Sequence, residues 1–299
     1  MSEKIEVKGI YPALVTPMNS DESINEEGLK KIIEHVINGG VHGLFILGSQ
    51  GESFALNPDE KKQVIEISVE TVADRIPVCV GTGMITTAQS VKFTRTAKEL
   101  GVNSISVITP YFISPNQKEL LEHFKTIAEA ADGVPVLLYN NPNRTGVSIS
   151  IETVIKMAEI DNVAGMKDSS ADLIQTMNYI EATKDMDFSV MVGNDASIFA
   201  TLLSGGKGAV AATANVAPEL IVGIYESVMA GDIEKARELQ YALFPIRKAF
   251  KLGTFPVVVK EALNIMGLPA GPARKPVTGL TSDKKKELKN ILQKAGLIK

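Results

Sequence analysis

The chain has 299 residues, with 31 lysines and arginines against 35 aspartates and glutamates and a formal net charge of −4. A composition 44% hydrophobic and 22% charged is that of a globular protein and excludes disorder for the bulk of the chain. The lack of a basic excess argues against nucleic-acid and membrane-surface partners and leaves small molecules as the expected ones.

The first strand is expected over residues 10–16. Leu29, Ile32, Ile33, Val36 and Ile37 then follow the spacing of a helical stripe that faces a core, and Gly39-Gly40 ends it. A second apolar run covers 43–47. Asn57-Pro58-Asp59-Glu60 supplies a cap, a proline at the first helical position and acidic residues in the first turn, ahead of Val64, Ile65 and Ile67. Further strand-like runs are 77–80, 104–108, 134–139, 163–166, 189–192 and 208–212, their starts roughly 20 to 35 residues apart, the length of one β-α repeat. Their continuous apolar character predicts strands covered on both faces. From residue 218 onward the pattern is helical, with segments over 233–250, 257–266 and 282–294.

The alternation predicts a (β/α)8 TIM barrel over residues 1–228 and a C-terminal helical domain over 229–299; an open doubly wound sheet is second, and no G-x-G-x-x-G follows the first strand. The single cysteine, Cys79, has no disulfide partner within the chain, and residues 1–6 lack the apolar stretch of a signal peptide, so a cytoplasmic location is expected. No apolar run approaches the roughly 20 residues needed to span a bilayer.

In a barrel, polar residues at strand C-terminal ends converge on one mouth. Lys167 directly continues the run Val163-Ala164-Gly165-Met166, a setting in which desolvation favours the neutral, nucleophilic amine that Schiff-base chemistry requires; the alternative is a lysine paired with Asp168 or snorkelling to solvent. Tyr139 ends the preceding strand and is either a proton shuttle beside Lys167 or a structural tyrosine with a carbonyl partner. Gly48-Ser49-Gln50-Gly51 offers amides and a hydroxyl to a carboxylate, although glycine turns follow most barrel strands. Arg144 is either a bidentate carboxylate clamp or an exposed loop cation. His35, His42 and His123 form no metal-ligand spacing, Cys79 reads as core, and Gly205-Gly206-Lys207-Gly208 lacks the spacing of a phosphate loop.

Together the segments Gly9-Ile10-Tyr11-Pro12-Ala13-Leu14-Val15-Thr16-Pro17, Gly48-Ser49-Gln50-Gly51-Glu52, Thr109-Pro110-Tyr111, Tyr139-Asn140-x-Pro142-x-Arg144-Thr145-Gly146, Gly165-Met166-Lys167-Asp168 and Gly193-Asn194-Asp195-Ala196 resemble the dihydrodipicolinate synthase / N-acetylneuraminate lyase family of pyruvate-dependent class I aldolases. The resemblance implies a barrel with C-terminal helices, usually a homotetramer, that uses no metal or organic cofactor. It implies that Lys167 forms an imine with pyruvate and that Tyr139 moves protons. Ser49 and Gln50 match the turn that holds the pyruvate carboxylate, with Ser49 also in the proton relay. Gly193 and Val210 match positions lining the pyruvate pocket.

Arg144, and Pro256-Val257-x-x-Lys260 further on, resemble dihydrodipicolinate synthase, whose arginine binds the carboxylate of aspartate semialdehyde. Two departures are Ser49-Gln50, where the synthases usually have two threonines, and Phe112, where they have a second relay tyrosine. These point to a 2-keto-3-deoxy sugar-acid aldolase or N-acetylneuraminate lyase as alternatives. A non-catalytic keto-acid-binding regulator is a different class, opposed by the joint presence of Lys167 and Tyr139. A metal-dependent class II aldolase is opposed by the scattered histidines. The expected partners are pyruvate and an aldehyde, with a homo-oligomer, dimer or tetramer, as the assembly.

Overall fold

Strand and helix alternate along the chain in a computed structural model that describes residues 7–299. The opening residues 1–6, read above for a leader, lie outside the described residues. The elements are β1 (Gly9–Pro12), α1 (Glu26–Asn38), β2 (Leu44–Ile46), α2 (Pro58–Val72), β3 (Val78–Gly81), α3 (Thr87–Glu99), β4 (Ser104–Ile108), α4 (Gln117–Ala131), β5 (Val136–Asn140), α5 (Pro142–Thr145), α6 (Ile151–Ala158), β6 (Val163–Asp168), α7 (Leu173–Thr183), β7 (Ser189–Val192), α8 (Ile198–Leu203) and β8 (Gly208–Ala211). Four more helices follow, α9 (Pro218–Met229), α10 (Ile233–Ala249), α11 (Val257–Ile265) and α12 (Ser282–Lys294). The strand order β1-β8-β7-β6-β5-β4-β3-β2 is that of the (β/α)8 barrel.

The described residues divide into two compact units, one of residues 7–9 and 77–210 and the other of residues 10–76 and 211–299. In the first, β3 to β8 pair in parallel and in sequence. Their central residues are buried on both faces, as the continuous apolar runs predicted. In the second, an Ala13–Phe45 bridge and the Leu14 amide donating to the Phe45 carbonyl (2.9 Å) tie the chain after β1 to β2. In that unit α9 packs on α10, and α10 and α11 pack on α12.

Local sequence accounts for the helix starts. Asn57 caps α2 with a reciprocal box: its side chain accepts from the Glu60 amide (2.9 Å), and the Glu60 carboxylate accepts from the Asn57 amide (2.8 Å). Leu29, Ile32, Ile33 and Val36 are buried along α1, as the stripe predicted, while Ile37, its last member, is half-buried, and Gly39 caps the helix. Several strands differ from their expected lengths, β1 and β6 among them. The run 10–16 is a strand only through Pro12, which has no amide hydrogen to give a ladder. The run 163–166 extends two residues further, because Lys167 and Asp168 keep pairing with β5 and β7. Among the described residues no helix is long and apolar enough to cross a membrane.

Candidate active site

The unit of residues 7–9 and 77–210 holds the lysine. Parallel pairing of β5 with β6 starts at Val136 opposite Val163 and then slips, so that Leu137 lies opposite Gly165 and Ala164 is left as an extra residue. One consequence is that Tyr139 stands opposite Lys167, instead of opposite Met166. Cross-strand partners share a face of the sheet, and the Lys167 Nζ sits 4.1 Å from the centroid of the Tyr139 ring. Both side chains are buried, at 4% and 5% exposure.

Asp168 follows Lys167 directly on the strand and therefore faces the other way. Its carboxylate is occupied there: Oδ1 accepts from Asn140 Nδ2 (2.8 Å), and Oδ2 accepts from the hydroxyls of Ser170 (2.8 Å) and Thr176 (2.6 Å). This network accounts for Asp168 as a structural residue. The Tyr139 hydroxyl accepts from Asn141 Nδ2 at 3.0 Å. Asn141 is held in turn through its carbonyl, which accepts from the Thr145 hydroxyl (3.2 Å), itself bonded to Thr109 Oγ1 (2.8 Å). The strand-end threonine and the Thr145 of the Arg144 segment thus meet behind the tyrosine.

Gly193 belongs to the same cluster. A Cβ there would lie 1.9 Å from Ser169 Oγ and 2.8 Å from Lys167 Cε, so only glycine leaves the lysine its place. The Ser169 hydroxyl is buried and has no hydrogen-bond partner among the described residues. Val210, in β8, is buried. Arg144 is an exposed residue of the short helix α5, a helical turn where a loop was expected. Phe112 has a left-handed backbone (φ 79°) and is 89% exposed. Cys79 is core, its thiol pushed up to about 12 by burial, with a hydrogen bond from Ser104 and the charge of Lys167 acting in the opposite sense.

The unit of residues 10–76 and 211–299 holds the turn Gly48-Ser49-Gln50-Gly51-Glu52. The Glu52 amide donates to the Ser49 carbonyl (3.1 Å) and the Ser53 amide to the Gly48 carbonyl (3.3 Å), which closes the loop on itself. Leu47 and Glu52, at its two ends, both have left-handed backbones (φ 54° and 55°). The Thr16 hydroxyl donates to the Gly51 carbonyl at 2.6 Å. Ser49 is half-buried, while Gln50 is buried and, among the described residues, neither its Nε2 nor its Oε1 has a hydrogen-bond partner. An amide that gives up both water and protein partners carries a large penalty unless a ligand meets it.

Sequence reasoning missed Asn141, Ser169 and Glu52. Asn141 and Ser169 stand two residues beyond Tyr139 and Lys167, close enough to suspect on spacing alone. Glu52 lay within the quoted motif, but its partner is remote in the chain.

The profile of the dihydrodipicolinate synthetase family matches residues 6–295. The chain is similar to a 4-hydroxy-tetrahydrodipicolinate synthase of Methanoculleus marisnigri, 40% identical over 291 residues that cover 97% of this chain and 99% of that one. Among solved structures it is similar to the dihydrodipicolinate synthase of Thermotoga maritima (TM-score 0.94, 35% identity, covering 97% and 99% of the two chains). It is also similar to YagE, a prophage protein of E. coli K12 of the dihydrodipicolinic acid synthase family, solved in complex with pyruvate (TM-score 0.93, 31% identity, covering 97% and 99%).

Proposed function

The chain belongs to the dihydrodipicolinate synthetase family, whose members are pyruvate-dependent class I lyases and synthases, and from that premise we propose that it condenses pyruvate with aspartate semialdehyde through an imine on Lys167, as a 4-hydroxy-tetrahydrodipicolinate synthase. The observation that carries the reading is the pairing of Lys167 with Tyr139 on one buried sheet face, Nζ 4.1 Å from the ring.

In this mechanism the Lys167 amine adds to the keto carbon of pyruvate, and water leaves to give a protonated imine. The hydroxyl of Tyr139, fixed by Asn141, is the proton carrier for that step. The iminium draws electrons from the adjacent methyl group, which loses a proton to become an enamine. The enamine carbon attacks the aldehyde, and the amino group of the bound semialdehyde then adds to the imine carbon and displaces the Lys167 amine, which closes the ring and restores the lysine. Gly193 keeps the space around Lys167 Cε open, and Val210 matches the pocket lining. Ser49 and Gln50 are assigned to the pyruvate carboxylate, with Ser49 in the relay. Arg144 is assigned to the carboxylate of the aldehyde, a role suited to its planar fork of donors.

We also assign the catalytic barrel to residues 1–228 and a helical domain to 229–299, place the enzyme in the cytoplasm, and expect a homo-oligomer, dimer or tetramer. Phe112 and Ile113, 89% and 72% exposed side by side, support such an assembly.

Incubation with pyruvate and borohydride tests the chemistry. The reduced imine should appear as a carboxyethyl group on Lys167 and be absent from Lys167→Ala. No adduct, or an adduct that survives the substitution, refutes it. A second reading, a 2-keto-3-deoxy sugar-acid aldolase or N-acetylneuraminate lyase, is favoured by the buried, unpartnered polar atoms of Gln50 and Ser169, which suit a hydroxylated acceptor. Comparing kcat/KM for aspartate semialdehyde, glyceraldehyde and N-acetylmannosamine separates the two.

A further inference from the structure

The turn that carries Ser49 and Gln50 is anchored from the C-terminal helices by an ion pair buried at both ends. Glu52 Oε1 and Lys260 Nζ are 2.6 Å apart, and each side chain is 1% exposed. They are separated by 208 positions in the chain, Lys260 lying on α11. The ammonium also donates to the Pro272 carbonyl (2.6 Å), and the second Glu52 oxygen accepts from the Arg274 amide (2.8 Å). Both carboxylate oxygens of Glu52 and two of the three ammonium hydrogens of Lys260 are thereby engaged in hydrogen bonds.

The clamp continues through the Arg274 guanidinium. It grips both oxygens of Glu60 (2.7 and 2.8 Å) and donates to the carbonyl of Ala55 (2.8 Å) and to that of Glu22. Glu60 is the same residue that closes the cap of α2, so the turn, the three residues after it and the start of α2 are all tied to the segment 272–274. Glu52 is the link to the turn itself, because its amide donates to the Ser49 carbonyl. Any shift of the Glu52 backbone, held at a left-handed φ of 55°, moves Ser49 with it.

A buried ion pair is a poor way to add stability, since two apolar side chains of the same volume often do as well, but it fixes its partners in a single geometry. We propose that Glu52 and Lys260 are positioning residues that set the affinity for the keto-acid carboxylate by fixing the Ser49-Gln50 turn. The proposal rests on the reading that this turn receives that carboxylate. Neither residue touches substrate; each acts through the backbone of the turn.

The test compares two ketones that differ only in the group the turn receives. Pyruvate and acetone are each titrated into the full-length protein, and imine formation at Lys167 is trapped with borohydride. In Glu52→Gln and in Lys260→Met the half-saturating pyruvate concentration should rise about tenfold or more, the scale of one misaligned charge-assisted contact, while that of acetone stays unchanged. Lys260→Arg, which keeps the charge, should recover part of the pyruvate affinity. The double variant Glu52→Gln/Lys260→Met leaves no orphan charge buried and serves where a single variant does not fold. Unchanged pyruvate saturation in folded variants, or an equal shift for both ketones, overturns the proposal. A wild type that traps both ketones at the same concentrations instead overturns the assignment of the carboxylate to this turn, and the proposal with it.

Discussion

Lys167 lies opposite Tyr139 because Ala164 is an extra residue in β6. Strand side chains alternate with period two, so a slip of one residue exchanges the faces of every residue beyond it. Without the slip, Lys167 would stand opposite Asn140, whose side chain bonds Asp168 and Ile149 on the other face of the sheet. The bulge therefore decides which of two adjacent asparagine-rich and tyrosine-bearing positions the lysine meets.

Tyr139→Phe keeps the ring against Lys167 and removes the hydroxyl that Asn141 holds. Turnover should fall by about 10²-fold or more, the usual contribution of a positioned acid-base group, while the pyruvate adduct at Lys167 still forms given time. Stopped-flow or slow-trapping kinetics of imine formation measures this. Turnover equal to wild type would remove Tyr139 from the proton path.

Gly193→Ala places a methyl group 2.8 Å from Lys167 Cε and 1.9 Å from Ser169 Oγ. The lysine must move, and displacement of a reacting atom by about 1 Å costs on the order of 10² in rate. We expect kcat/KM to fall by that scale with the melting temperature changed far less. A variant as active as wild type would show that the lysine has room elsewhere.

Arg144→Ala should separate the two substrates. Loss of one charge-assisted carboxylate contact is worth about 10- to 100-fold in kcat/KM for aspartate semialdehyde, with pyruvate trapping at Lys167 unaffected. Steady-state kinetics with each substrate varied reads this. If sugar-derived aldehydes are preferred and Arg144→Ala is neutral, the second reading of the acceptor replaces the first.

His123 on α4 is 5% exposed, and burial pulls its imidazole down to about 4 from an ordinary 6.5. Burial lowers His35 and His42 as well. A histidine held neutral in the folded state binds its proton more readily when unfolded, so stability rises with pH over that interval. The contribution of His123 is complete above pH 6.5 and is lost as pH falls toward about 4. Denaturant melts at pH 7.5 and 5 should show the wild type weakening and His123→Gln weakening less. An NMR titration of the His123 ring that is half complete near pH 6.5 would contradict the burial argument.

The sequence by itself determined the elements and the reactive groups. Apolar runs marked all eight strands, Asn57-Pro58-Asp59-Glu60 marked the start of α2 through contacts only three residues apart, and the ordered motifs around Ser49, Tyr139, Arg144, Lys167 and Gly193 marked the family. These are properties of residue type and short-range spacing, which the chain carries before it folds. The tertiary structure decided relationships that hang on a single residue of register or on partners far apart. Nothing in Val163-Ala164-Gly165 announces which residue β5 skips, because in a strand covered on both faces each of these apolar residues fits either register equally well. Glu60 was legible as a cap but not as the carboxylate that grips Arg274, 214 positions away, nor was the Glu52–Lys260 pair legible. Ion pairs of that kind leave no periodic trace in sequence, since each partner is defined only by where the folded backbone brings the other.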